Sequence, residues 1–221
     1  MPRPATVSVT GSPTAFWPAL AAAGLACFLA AALALHLLRP ELDPVASQMS
    51  LYLIGPWGGL LRAAYVALSV AMVGLAWDAW RSIDPAARSA APLLMFVLAG
   101  LCLSTTAYAG MDLSDAGPSL EGLVHGISAQ GAFLFATTAM VLQAMSLRRD
   151  RHWRAHARWL LPWALACFAA IWVLALWRDL PRGLAQKAVI ALIVGWLAAV
   201  VALRLARHRR GRQPGPGRAR G

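Results

Sequence analysis

Apolar residues fall into six uninterrupted runs, over about residues 16–38, 60–77, 90–108, 122–147, 159–177 and 184–205. Each is close to the roughly 20 residues that a helix needs to cross a hydrocarbon core. The runs are continuous and rich in Ala and Leu, without the apolar–polar alternation in segments of about ten that marks barrel strands. Helices satisfy their own backbone hydrogen bonds in lipid, and open sheets cannot. The pattern therefore predicts an all-α polytopic membrane protein, a six-transmembrane-helix bundle over residues 16–205. A short N-terminal segment, 1–15, precedes it. The basic tail, 206–221, is broken by Pro214 and Pro216 and is expected to be disordered.

Composition narrows the class further. Of the 221 residues, 59% are hydrophobic and 13% charged, against about 45–50% and 25% in soluble domains. That excludes a soluble enzyme, a coiled coil and a disordered chain. The first run has Arg3 upstream and an Ala32-Leu33-Ala34 triplet resembling a cleavage site, but it exceeds the 7–15 apolar residues of a signal peptide. It is expected to be retained as a span. Cys27, Cys102 and Cys167 each fall inside a run, with no spacing that suggests a disulfide framework.

The net charge of +11 first suggests nucleic acid, but the basic residues are sorted by membrane side. With the N-terminus inside, 15 of the 20 Lys and Arg lie on inner segments and 5 on outer ones. Of the nine acids, six lie outside: Glu41, Asp43, Asp112, Asp115, Glu121 and Asp179. This asymmetry predicts the inner (plasma) membrane with both termini cytoplasmic. The expected partners are membrane lipids, with anionic lipids at the cytoplasmic face drawn to the basic tail and to the Arg148–Arg158 loop. No nucleic acid is expected.

The two long outer loops carry most of the information. Asp43 can cap a helix for which Pro44 is pre-set at the first position, and Gly55-Pro56 stops it. A short interfacial helix over 44–54 follows, with Tyr52 and Trp57 at headgroup level. The second loop, 110–121, carries Asp112, Asp115 and Glu121 and ends just before His125. It follows a polar patch at the exit of the third span, Ser104-Thr105-Thr106 and Tyr108.

The string Leu37-Leu38-Arg39-Pro40, Asp43-Pro44, Ser47, Ser50-Leu51-Tyr52 and Gly55-Pro56-Trp57-Gly58 resembles a bacterial and archaeal membrane family known as domain of unknown function 998. That family carries Phe-Pro-x-Asp after its third span and a His about thirteen residues later. Asp112 and His125 have this spacing, although Ala109-Gly110-Met111 stand in place of Phe-Pro-x. The resemblance covers most of residues 16–205. It implies a fold and a membrane location, and no activity.

From the residues themselves, the outer polar set is the candidate site. His36 at the end of the first span, His125 at the head of the fourth, and Asp112, Asp115 and Glu121 between them could converge at one depth. Ser47, Ser50, Tyr52, Arg62, Tyr108 and Arg178 would lie nearby as ligand-binding candidates. His36, Asp112, Asp115 and His125 suit a Zn site with an open position, and His125 with Asp112 suits general acid–base work on a lipid headgroup. Equally, Asp112 can cap a helix or pair with Arg62, Arg178 or Arg182. One haem between His36 and His125, the only histidines within or bordering spans, is geometrically possible but disfavoured, since both lie toward one side and no transmembrane electron path through two haems can form. His152 and His156 have zinc-hydrolase spacing, but five arginines around them oppose a cation. The leading expectation is a membrane protein that binds a lipid or small ligand from an outward-facing polar vestibule. The alternative is a metal- or His-dependent hydrolase of lipid headgroups.

Overall fold

A computed structural model describes residues 15–112, 117–177 and 179–212 of the chain. Among these residues there is no strand, and six helices are long and apolar enough to cross a membrane. They are α1 (Phe16–Leu38), α2 (Gly58–Ser82), α3 (Ala91–Tyr108), α4 (Leu120–Arg149), α5 (Arg154–Leu176) and α6 (Arg182–Arg212). The protein is a multi-pass, six-helix membrane bundle. Every expected span is present, and α2, α4 and α6 run several residues past the apolar limits. Charged residues can form the ends of such helices because their heads reach the interface. The helical backbone of α6 continues to Arg212, and the Arg207 guanidinium rests over the Trp153 ring, 5.6 Å from its centroid. Residues 213–221 and 1–14 lie outside the described part.

Each helix packs on its neighbours in the chain, and α6 returns to α1, so the bundle is a ring closed in sequence order. Between helices in lipid, close packing and hydrogen bonds replace the hydrophobic drive. Gly24 on α1 lets the Ala67 carbonyl of α2 approach within 2.6 Å of where a Cβ would stand. The Ser104 hydroxyl donates to Ser69 at 3.2 Å between α3 and α2, and Thr106 and Ser128 share a bond of 2.9 Å between α3 and α4. The indole N–H of Trp196 on α6 donates to the Leu160 carbonyl of α5 at 2.9 Å. Its ring is fully buried, an arrangement that satisfies both halves of an amphipathic side chain.

Both ends of the described chain lie at one end of the bundle, here the terminal end, with the α2–α3 and α4–α5 connections. The other three connections lie at the distal end. The terminal end is tied by charge. Asp78 on α2 accepts from Arg204 Nε on α6 at 2.5 Å, both side chains being buried. The Asp150 carboxylate, also buried, accepts the Asp84 N–H at 2.9 Å and the His152 N–H at 2.7 Å. Burial pushes the Asp150 pKa up, but these two N–H groups, with His152 and Arg207 nearby, hold it below its ordinary value.

Candidate functional site

At the distal end, the segment between α1 and α2 folds inward as a plug. The Asp43 carboxylate accepts the Val45 N–H at 2.7 Å and its carbonyl takes the Ser47 N–H at 2.8 Å. Asp43-Pro44 therefore opens a tight turn, where a helix start was expected. Helix follows only as a 3-10 turn, Met49–Leu53, in which Met49, Ser50, Tyr52 and Leu53 are buried. The reason lies in α6. Gln48 is extended, and the next N–H, that of Met49, goes to Gln186 Oε1 at 2.8 Å. Leu184 N–H goes to the Val45 carbonyl at 2.8 Å. Bonds to another element have replaced those that would close a longer helix, at about 0.5–1.5 kcal/mol each.

Three further features hold the plug. Lys187 Nζ donates to the Pro44 carbonyl at 2.7 Å and sits 5.2 Å from the Tyr52 ring centroid, a cation–π contact. Gly183 packs under the loop, since a Cβ there would stand against the Ser47 carbonyl and 2.7 Å from that of Val45. Arg39, only 9% exposed, donates to the Glu41 carboxylate and the Ile54 carbonyl. It lies against Gly55, which turns the chain at φ +91°, a conformation that favours glycine. The Arg39 guanidinium holds the Glu41 carboxyl below the ordinary carboxylate range. Tyr52, expected at headgroup level, is fully buried, with its ring 5.0 Å from that of His36 and its hydroxyl unpartnered. Trp57 is exposed.

Among the described residues, the expected histidine–carboxylate set does not meet through hydrogen bonds. His36 Nδ1–H donates to the Ala32 carbonyl at 2.6 Å, one turn back on its own helix. His125, 6% exposed, donates from Nδ1 to the Ala109 carbonyl at 3.0 Å and so pins the end of α3 to the start of α4. Asp112 braces Ser119, the residue that caps α4. It accepts the Ser119 hydroxyl at 2.5 Å and the Ser119 N–H at 3.0 Å, while Ser119 Oγ takes the Gly122 N–H at 2.9 Å. Those bonds to Ser119, the hydroxyl first, hold the Asp112 carboxyl below its ordinary value.

The remaining candidates are dispersed. Glu121 is exposed and lies against Gly110, and Arg62 and Tyr108 are exposed on α2 and α3. Ser47 and Ser50 are buried in the plug. Asp115 and Arg178 lie outside the described residues. Among the described residues no three His, Cys, Asp or Glu side chains gather as a metal site. At the terminal end, His152 precedes α5 and His156 lies on it, its ring tilted against that of Trp153 at 5.8 Å, so they do not form one helical face.

What the ring does enclose is a cavity of about 80 Å³, partly open, lying beneath the plug. Its walls come from α1, α2, α3, α4 and α6. They are Phe28, Tyr65, Leu68, Met72, Leu103, Thr106, Ala129, Ala132, Phe133, Ala136, Ile190, Ile193, Val194 and Leu197, with Gln186 and Ser50 near the top. No lining residue is charged. The run of small residues on α4 leaves this space, and α5 adds nothing to it. Gln186, Lys187 and Tyr65 were not among the sequence candidates. Gln186 and Lys187 could have been noticed as the polar pair opening the sixth apolar run, opposite a loop that needed partners.

No curated protein and no solved structure matches the chain. The signature of a family described as "Protein of unknown function (DUF998)" matches residues 21–203. With that match spanning the whole ring from α1 to α6, the chain belongs to the DUF998 family.

Proposed function

We propose that this membrane protein binds the apolar part of a lipid or lipid-like small molecule inside the helix ring, entering from the distal end. The supporting observation is the cavity. It is apolar, uncharged and roofed by a loop that the rest of the distal end is organised to hold. Well-packed interiors leave few voids larger than a water molecule, so an apolar one at the centre of a ring suits a ligand. The sorting of basic residues supports a plasma-membrane orientation with the terminal end in the cytoplasm, where Arg-rich segments would meet anionic headgroups. A hydrolytic reading would draw on His125 and Asp112. Their bonds to Ala109 and Ser119 make them fasteners of α3 and α4, so binding is the better-supported reading.

The test is a cavity-filling substitution. Ala132→Trp should abolish retention of lipid that co-purifies with the protein, read by mass spectrometry, while an equally large change at exposed Leu134 should not. Equal lipid retention in both variants would reject the proposal.

A further inference from the structure

The cavity has a polar end and an apolar end. Gln186 lies four residues into α6 and Thr106 two residues from the distal end of α3, beside Ser50 of the plug. Leu197 lies eleven residues deeper along α6, about 16 Å at 1.5 Å per residue, with Met72 of α2 at a similar depth. Tyr65, 6% exposed, lines the space between these levels. Among the described residues, neither the Tyr65 nor the Ser50 hydroxyl has a hydrogen-bond partner, and the Gln186 amide spends its Oε1 on the Met49 N–H. Its NH2 group remains a donor, while the two hydroxyls both donate and accept. All three side chains line the cavity, where the polar end of a ligand meets them.

Resting on the binding function above, we infer that the ligand is a single-chain, uncharged amphiphile whose hydroxyl or carbonyl end meets Ser50, Tyr65 and Gln186 beneath the plug. Its chain runs down between α2 and α6 toward Met72 and Leu197. The uncharged lining selects against phosphate and carboxylate heads, because a charge taken into such a site without a counter-charge is strongly penalised. The hydroxyls and the amide select against a plain hydrocarbon, which would leave them unpaired. Two-chain phospholipids are excluded on the same grounds of charge.

The experiment uses three photoreactive probes of one chain length, each bearing a diazirine: a primary alcohol, the hydrocarbon without the hydroxyl, and the alkyl phosphate. Each is added to the full chain in lipid nanodiscs, and labelled residues are mapped by mass spectrometry. The alcohol should label α2 and α6 lining residues saturably, at least tenfold more than the hydrocarbon or the phosphate. Tyr65→Phe and Gln186→Leu should each lower alcohol labelling about five- to tenfold while leaving hydrocarbon labelling unchanged, which also shows that the variants are folded. Equal labelling by alcohol and hydrocarbon, or by alcohol and phosphate, would overturn the inference and leave the binding function standing. No saturable labelling by any probe would overturn both.

Discussion

At the scale of single residues, the buried charges Arg39, Asp78, Asp150 and Arg204 all have structural partners. Asp78 and Arg204 satisfy one another where water is scarce. Removing one partner from a buried pair costs about 3–5 kcal/mol, because the other charge is left uncompensated. Asp78→Asn should therefore lower the midpoint of unfolding in detergent sharply. The apolar double variant Asp78→Leu with Arg204→Met should recover most of it, and a double variant as unstable as the single would contradict the pairing. Asp112 gives a pH dependence. Its carboxyl is held below its ordinary value by Ser119, so the folded state favours the ionised form. That contribution is complete above the unfolded value, about 3.9, and is lost as pH falls through the lower folded value. Asp112→Asn should destabilise at neutral pH and flatten the decline on acidification below about pH 4, as read from thermal melts at several pH values. The sequence left several roles open for Asp112: acid–base partner, metal ligand, helix cap or partner of an arginine. Spacing alone could not separate them, because the decision rests on where the Ser119 hydroxyl points.

At the scale of elements, the spans were legible because a helix in lipid must be long, apolar and unbroken. The plug was not. The Asp43-Pro44 start and Gly55-Pro56 stop are genuine punctuation, and the chain does turn at both. What lies between was decided by α6, far along the chain, through Gln186, Lys187 and Gly183. A local pattern carries no trace of a partner so distant. Gly183 offers the sharpest test, since a methyl group there meets backbone, which cannot swing aside. Gly183→Ala should cost about 1–3 kcal/mol, as overpacking does, or lift the plug. In a Ser50→Cys background it should raise the rate of modification by a water-soluble maleimide severalfold. Unchanged reactivity and stability would mean that the loop does not rest on α6 in the membrane.

For the whole molecule, the cavity was illegible because it arises from helices meeting as a ring, and the small residues of α4 look the same whether they pack or leave space. Sidedness, in contrast, has a signal in charge alone. A reporter active only in the cytoplasm should work when fused at Gly221 and fail when inserted at Gly117; the reverse result would invert the molecule. The pairing of Asp78 with Arg204, 126 residues apart in the chain, also dictates an order of events during synthesis. By the time α2 has left the ribosome, its acid has no partner and the plug has nothing to rest on. Both are supplied by α6, which emerges after the other five helices. Until then the nascent chain carries an unpaired charge near the edge of the bilayer and an unfastened loop. A chain stopped at Trp177 should be cleared within minutes in a pulse-chase, whereas the same truncation carrying Asp78→Leu should persist longer.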